Sequence, residues 1–174
     1  MPVFKENLTS KILQENSLAI IKKYKKKLKI LELGCGDGNI SSFIIKKSRI
    51  NHNYHLSDIS NEAITEAKKK INFKNVIFKK GEILKPWSNF KFDIIISDIS
   101  SINDDVANKS NWYNGITCDS GKDGLKNIKK LFKNINYNLN FKGILILPII
   151  SLSNEKKFCK MINKKFKKLK LVNL

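Results

Sequence analysis

Leu31-Glu-Leu-Gly-Cys-Gly-Asp-Gly-Asn39 is the stretch that decides the fold of this 174-residue chain. The apolar run from Leu28 to Leu33 predicts a short buried strand, and the apolar residues from Ile40 onward predict a helix. Alternating glycines separate the two. Because glycine adopts backbone conformations that other residues rarely reach, such a turn lets the main chain approach a ligand closely. We therefore expect a binding loop at the edge of a sheet.

The spacing of the glycines distinguishes two kinds of ligand. Gly34, Gly36 and Gly38 give G-x-G-x-G, whereas a dinucleotide-binding turn is G-x-G-x-x-G, whose third glycine would stand at Asn39. Glu32 and Asp37 add carboxylates that suit a cationic amino group better than a phosphate. The loop therefore favours S-adenosylmethionine, which has an amino group and no pyrophosphate, over NAD.

Helical and strand-like segments alternate along the rest of the chain, which is typical of an α/β domain with a mostly parallel central sheet and helices on both faces. Residues 9–24 predict an N-terminal helix with Thr9 or Ser10 as its N-cap. Ser60 is expected to cap another helix. Residues 100–122 show no periodicity and predict a functional loop. Strands are predicted at 28–33, 54–58, 76–79, 92–97 and 144–150, and helices around 125–139 and 158–162.

The region from Leu28 to Ile150 resembles the class I S-adenosylmethionine-dependent methyltransferases, in which E-x-G-x-G-x-G is the first motif. The resemblance implies a Rossmann-like methyltransferase fold, S-adenosylmethionine as cofactor and methyl transfer as activity. Residues 1–27 would cover the cofactor site and residues 28–174 would form the methyltransferase domain. The implied cofactor-binding residues are Glu32, Gly34, Cys35, Gly36, Asp37, Gly38, Asp58, Ile59, Gly81, Glu82 and Asp98.

Two acidic positions carry specific roles under this resemblance. Asp58 follows the second strand, where the family places a carboxylate that accepts both ribose hydroxyls, and two coplanar acceptors match a vicinal diol. A cap for the next helix is its alternative role. Gly81-Glu82, after the third strand, resembles the acidic position beside the adenine, and a surface glutamate is the alternative there.

Phe92 to Asp98 resembles the fourth motif of the family, which ends at the site of methyl transfer. Asp98 is therefore our catalytic candidate, because an aspartate can align a nucleophile or accept its proton. Binding the cofactor or capping a turn is the alternative. A narrower resemblance, to protein-glutamine N5-methyltransferases, rests on Gly121-x-Asp123-Gly124-Leu125. Those enzymes have Asn-Pro-Pro-Tyr where this chain has Ser97-Asp98-Ile99-Ser100, so glutamine and exocyclic base amines are not expected as acceptors.

The segment after Asp98 supplies the candidates for acceptor binding, which are Ser100, Trp112 and Tyr113. Exposed aromatic rings would stack on a flat or cationic acceptor, and packing as a lid over the cofactor is the alternative. Cys118 has no basic residue nearby except Lys122 and is not expected to act as a nucleophile. His52 and His55 flank the second strand and are expected to pack rather than to catalyse.

The amino-acid composition limits the kinds of partner that this chain is expected to bind. The chain has 34 lysines and arginines against 15 acidic residues, a formal net charge of +19, and Arg49 is its one arginine. Biased coding in an A/T-rich genome explains an excess of Lys, Asn and Ile, and we favour it. A nucleic-acid-binding face is the alternative, although phosphate recognition favours arginine. The acceptor is thus expected to be a small molecule or a protein, with RNA as an alternative.

Other global features set further expectations. No segment reaches the ~18 apolar residues of a membrane span and no secretory signal is visible, so a soluble cytoplasmic protein with no membrane partner is expected. The three cysteines lack metal-site spacing, and no metal is expected. The strand predicted at 169–174 would be half of an incomplete C-terminal hairpin, and a homodimer covering that edge is a hypothesis. A non-catalytic module that binds S-adenosylmethionine or a nucleoside is the alternative function.

Overall fold

The computed structural model describes residues 7–109, 120–166 and 168. The chain forms two compact units, residues 1–99 with 134–148 and residues 100–133 with 149–174. Five strands belong to the first unit: β1 (Lys29–Leu33), β2 (Asn53–Asp58), β3 (Val76–Lys80), β4 (Phe92–Ser97) and β5 (Leu139–Ile146). The helices are α1 (Leu8–Ile21), α2 (Asn39–Lys47), α3 (Asn61–Lys70), α4 (Asp104–Lys109), α5 (Lys126–Asn138) and α6 (Glu155–Lys165), and a 3-10 turn spans Lys85–Trp87.

The strands form one sheet in the order β3-β2-β1-β4-β5, and every neighbouring pair is parallel. This confirms the predicted α/β arrangement. Because all five strands point the same way, their carboxyl ends meet at one edge of the sheet. Backbone hydrogen bonds join the central ends there: the Gly34 and Cys35 N–H groups donate to Ser57 O at 2.9 and 3.1 Å, and Asp98 N–H donates to Leu33 O at 2.9 Å.

Alternation of side chains along the strands builds the core of the first unit. Ile30, Leu56 and Ile94 lie on one face and are buried in a cluster with apolar residues of α1, α2 and α3. On the other face, His55 contacts the rings of Trp87 and Phe92 at 5.4 and 5.1 Å between centroids. The fully buried Trp87 donates its Nε1–H to Ser57 Oγ at 2.9 Å. The short segment between β3 and β4 therefore fills this face with aromatic rings.

Several predicted boundaries are wrong. The N-cap of α1 is Asn7, whose side chain accepts from Ser10 N–H at 2.9 Å, because Ser10 already lies in the first turn and faces inward. That helix ends at Ile21 rather than at Tyr24. The fifth strand begins at Leu139 and ends at Ile146 rather than running from 144 to 150. Its pairing shifts register after Phe92↔Leu139, and Pro148 has no N–H to extend the ladder.

Among the other predictions, one is confirmed, one is corrected in part and one lies outside the described residues. Ser60 caps α3, since its Oγ accepts from Ala63 N–H at 3.2 Å. The region 100–122, predicted as a loop, contains α4, whose start is stabilised by Asn103 Oδ1 accepting from Asp105 N–H at 2.8 Å. The strand predicted at 169–174 falls outside the described residues. Among those described, no helix is long and apolar enough to cross a membrane.

The second unit is held by its own polar contacts and rings. Asp123 Oδ2 accepts from Lys129 at 2.8 Å and from Lys157 at 2.7 Å, and these bonds bring α5 and α6 together. Phe132 lies against Phe158 at 6.2 Å between ring centroids. The Gly121-x-Asp123-Gly124 segment noted in the sequence is therefore part of the packing of this unit.

Substitution at Gly38 tests how the glycine loop is packed. Gly38 has φ +79°, and a Cβ there would lie 2.9 Å from Ile71 Cδ1 and 3.2 Å from Ala67 Cβ. We expect Gly38→Ala to lower the free energy of unfolding by about 3 kcal/mol, the sum of left-handed strain and overpacking. Gly121→Ala, with φ +77° and its nearest contact at 3.4 Å, is the matched control and should lose about 1 kcal/mol. Equal losses in urea denaturation would contradict this packing.

Candidate functional site

A pocket of about 260 Å³ opens in the first unit where β1 and β4 end. Its wall combines the glycine loop, the ends of both strands, the start of α2 and one residue of α1. It is lined by Ser10, Glu32, Gly34, Cys35, Gly36, Asp37, Asn39, Ile40 and Asp98. Most of the residues predicted around the loop are thus brought to one place, and Asp98 joins them from another strand.

The three glycines of the loop have different physical roles. At Gly34, with φ +69°, a Cβ would lie 3.0 Å from Asp98 O, so a side chain there would push the two main chains apart. Gly36, with φ +52°, lines the pocket and donates its N–H to Asp58 Oδ2 at 3.0 Å. Gly38 packs against α3 rather than lining the pocket. Close packing therefore requires glycine at positions 34 and 38, whereas Gly36 exposes its backbone to the pocket.

Glu32 is a buried carboxyl group with one unpaired oxygen. It is 1% exposed, and its Oε2 accepts from the N–H of Ser41 at 3.0 Å and from the Ser41 hydroxyl. Its Oε1 is buried without a hydrogen-bond partner among the described residues. Burial is the main cause that raises the pKa of Glu32 to about 8; the Ser41 bonds oppose the rise, and the nearby charges of Asp98 and Asp58 add to it. The site therefore presents an acceptor that lacks a positive partner.

The bond from Ser41 also explains why Glu32 is tolerated in the core. Ser41 lies in the first turn of α2, where backbone N–H groups have no partner within the helix. The N-cap, Gly38, provides no capping side chain. Glu32 supplies the acceptor from the neighbouring strand instead, and the positive end of the helix dipole favours a carboxylate there.

Asp98 is tied to the N-terminal helix. Its Oδ2 accepts from Ser10 Oγ at 2.8 Å, and Ser10 is 2% exposed. Burial raises the pKa of Asp98, and the bond from Ser10 opposes that rise. Sequence analysis did not assign Ser10 to the site. The signal was present, because Ser10, Gln14 and Ser17 recur at helical spacing on the buried face of α1, where apolar residues are the norm.

Asp37 and Cys35 line the pocket, but neither presents an unpaired charge to a ligand. Asp37 Oδ2 accepts from Lys70 Nζ at 2.5 Å and from Asn39 at 3.0 Å, so a lysine of this chain already pairs with it. Burial raises the pKa of the Cys35 thiol, which therefore stays protonated. Of the two acidic residues predicted for an amino group, Glu32 is the one whose unpaired oxygen is buried, and Asp37 already has a lysine partner among the described residues.

Asp58 lies beside the loop and accepts backbone hydrogen bonds from the loop and from the segment before α3. Its Oδ2 accepts from Gly36 N–H, and its Oδ1 accepts from Ser60 N–H at 2.9 Å. Gly81 N–H donates to Asp58 O at 2.9 Å, which brings the end of β3 next to it. Ile59 follows with 59% of its surface exposed. None of Asp58, Ile59, Gly81 and Glu82 lines the pocket, and Glu82 pairs with Lys85 at 2.5 Å.

The remaining predicted residues are not placed in this pocket. Ser100 belongs to the second unit, where its oxygen atoms contact Ser120 Oγ at 2.9 Å. Trp112, Tyr113 and Cys118 lie outside the described residues. The packing role of both histidines is confirmed, because His52 and His55 are buried and His52 Nδ1 accepts from Leu28 N–H at 3.1 Å.

Comparison with known proteins identifies a family. The family model described as a methyltransferase domain matches residues 24–173, and no curated protein matches the sequence. Among solved structures, the chain is similar to a ribosomal protein L11 methylase from Lactobacillus delbrueckii subsp. bulgaricus, with a TM-score of 0.65 and 18% identity over 92% of this chain and 70% of that chain.

Two further solved structures share the fold. A precorrin 8W decarboxylase from Methanobacterium thermoautotrophicum has a TM-score of 0.57 and 14% identity over 86% of this chain and 70% of that chain. A SAM-dependent methyltransferase from Thiobacillus denitrificans, in complex with S-adenosyl-L-homocysteine, has a TM-score of 0.53 and 16% identity over 83% of this chain and 50% of that chain. At such identities the likeness shows the fold alone, and the decarboxylase illustrates that one fold hosts several reactions.

The pKa of Glu32 predicts how stability depends on pH. The ordinary pKa of 4.5 applies to the unfolded chain and about 8 to the folded one, so the folded state holds an extra proton between these values. Stability is therefore highest below pH 4.5 with respect to this group and is lost as pH rises to about 8, at roughly 1 kcal/mol per pH unit. Glu32→Gln should flatten this dependence in urea denaturation between pH 5 and 8. An unchanged slope would show that Glu32 is ionised in the folded protein.

Proposed function

We propose that this chain, which belongs to the methyltransferase domain family, uses S-adenosylmethionine as its methyl donor. We further propose that the pocket where β1 and β4 end holds the methionine portion of that cofactor. The unpaired Oε1 of Glu32 is the observation that carries the assignment. A buried polar atom without a partner costs free energy, and an ammonium group brings three donors and a compensating positive charge. The pocket is lined by the glycine loop, Glu32 and Asp98 and by none of Asp58, Gly81 and Glu82, so it suits one part of the cofactor rather than the whole.

The residues beside the pocket suit the nucleoside portion. Each carboxylate oxygen of Asp58 accepts one backbone hydrogen bond and retains a second lone pair for a hydroxyl donor. We assign the ribose hydroxyls to Asp58 on that basis. Ile59 presents an exposed apolar side chain next to it, which fits contact with a flat base. We assign Gly81 and Glu82, at the end of β3, to contact with the adenine. We assign residues 1–27 to covering the cofactor site, with Ser10 as the residue that reaches it.

Asp98 is the residue assigned to the reaction itself. S-adenosylmethionine supplies a methyl group already activated by a positively charged sulfur, so the protein needs mainly to align the acceptor and remove its proton. The raised pKa of Asp98 makes it a stronger base than an exposed aspartate. Ser10 orients its carboxylate through the bond to Oδ2. Ser100, Trp112 and Tyr113 remain our candidates for acceptor binding.

Cofactor binding tests the first part of the proposal. Calorimetry with S-adenosylhomocysteine should give at least tenfold weaker binding for Glu32→Gln and for Asp58→Ala, because each loses a charge-assisted contact. Glu66→Gln, at an exposed residue paired with Lys69, is the control and should bind normally. Binding to the wild type should release a proton near pH 7, because the ammonium group favours the ionised form of Glu32. Normal binding by both variants would contradict the assignment.

Turnover tests the role of Asp98. Cofactor carrying a labelled methyl group is incubated with pools of small molecules, proteins and RNA, and protease and nuclease digestion assigns the labelled product to a class. Asp98→Asn should lose at least 100-fold in rate, and more in rate than in cofactor affinity. Ser10→Ala should shift the pH profile upward, because it removes the bond that lowers the pKa of Asp98. Cofactor binding with no product in any pool would identify a non-catalytic module.

A further inference from the structure

Positive charge is concentrated where the five parallel strands begin. The segments that lead into the strands are residues 22–30, 46–54, 72–77, 89–94 and 137–143, and together they contain twelve lysines and arginines against one acidic residue, Asp93. Because the sheet is wholly parallel, these segments meet at the edge opposite the pocket. We define the basic edge as Lys25, Lys26, Lys27, Lys29, Arg49, Lys74, Lys91 and Lys142, all of them exposed.

Coding bias alone does not explain this distribution. A genome-wide preference for lysine would raise its frequency everywhere and would leave the acidic residues evenly placed. Instead, the opposite edge of the same unit carries a group of acids, which are Glu32, Asp37, Asp58, Glu82 and Asp98. Within the described ranges 7–109, 120–166 and 168, no ion pair involves a residue of the basic edge. The edge therefore has uncompensated charge.

The single acid of this region is occupied in structural contacts. Asp93 Oδ2 accepts from Lys29 N–H at 2.8 Å, and its Oδ1 accepts from Asn140 Nδ2 at 2.9 Å. These bonds join the starts of β1, β4 and β5. Lys29, Lys91 and Lys142 all lie within two positions of the residues that make these bonds. With strands about 4.8 Å apart, the basic edge spans roughly 19 Å between its outer strands.

Two aromatic side chains are exposed at the β5 end of the edge. Tyr137 is 73% exposed and Phe141 is 94% exposed. Phe141 lies in the irregular start of β5, between the partner of Phe92 and the partner of Ile94. Lys142 follows it with φ +63°, and its Nζ lies 5.6 Å from the centre of the Phe141 ring. The ring and the neighbouring cation are therefore both exposed, and together they could contact a ligand that carries a flat group and a negative charge.

We propose that the basic edge, with Tyr137 and Phe141, is a binding surface for single-stranded RNA. Lysines on successive strands contact the phosphates, and the two rings stack on bases, as in sequence-tolerant binding of single strands. Lysine suits this role, because backbone tracking needs point charges rather than the forked geometry of arginine. An anionic membrane would need apolar contacts along the whole surface, whereas the large apolar side chains exposed here, Ile77, Tyr137 and Phe141, lie only at its two ends. The surface is separate from the pocket and needs no cofactor.

Matched charge removal tests the contacts to phosphate. A fluorescent 20-nucleotide RNA of mixed sequence is titrated with the full chain at several salt concentrations. The set Lys27→Gln, Lys74→Gln and Lys91→Gln removes three charges of the basic edge, and Lys11→Gln, Lys68→Gln and Lys80→Gln removes three exposed charges elsewhere in the same unit. The first set should bind at least tenfold more weakly, with a salt slope about 2 smaller. Equal effects of the two sets, or no RNA binding by the wild type, would overturn the proposal.

Further experiments test base stacking by the two rings and binding to an anionic membrane instead of RNA. Phe141→Ala and Tyr137→Ala should each weaken RNA binding about tenfold with an unchanged salt slope, because they remove stacking and leave the phosphate contacts. Duplex RNA of the same length should bind more weakly than the single strand and be indifferent to both changes. Vesicles containing phosphatidylserine that bind the chain better than RNA does would overturn the proposal in favour of a membrane surface. Thermal midpoints equal to that of the wild type establish that every variant is folded.

Discussion

The close approach of Gly34 to the main chain of Asp98 is the constraint on which the rest of the site depends. A Cβ at position 34 would stand 3.0 Å from Asp98 O, so the two chains touch only because a glycine is there. The same contact sets Glu32, two residues earlier, beside Asp98 and aims the following residues at Asp58, which accepts from Gly36 N–H. One small residue thereby brings the ends of β1 and β4 together at the pocket and places Gly36 next to Asp58 at the end of β2.

Burial of Glu32 lowers the stability of the folded chain but provides an atom that can bind a ligand. Its burial lifts its pKa to about 8, and the energetic source is desolvation of the charge. The residue is nevertheless useful to the fold, because it accepts the N–H of Ser41 at the start of a helix whose N-cap is Gly38. One oxygen thus serves the structure and the other, without a partner, is available to a cationic ligand. A leucine would suit the core better and would abolish both functions.

The parallel sheet also separates the charges of the first unit. Acidic residues gather at the carboxyl ends of the strands, where a cationic cofactor is proposed to bind, and lysines gather at the amino ends. A strand of six residues keeps the two edges about 20 Å apart. At physiological salt, charges that far apart are largely screened from each other. The edges can therefore serve different ligands, although in the sequence their residues alternate every few positions.

The sequence by itself determined the α/β class, the position of four strands to within a residue and the glycine loop, because hydrophobic periodicity and glycine spacing are local properties. It also singled out Glu32, Asp58 and Asp98. Tertiary structure decided the rest. Ser10 reaches Asp98 across 88 positions, Lys70 pairs with Asp37, and the start of β5 depends on pairing with β4. Such contacts depend on how distant segments pack, and no local pattern encodes which side chains then meet.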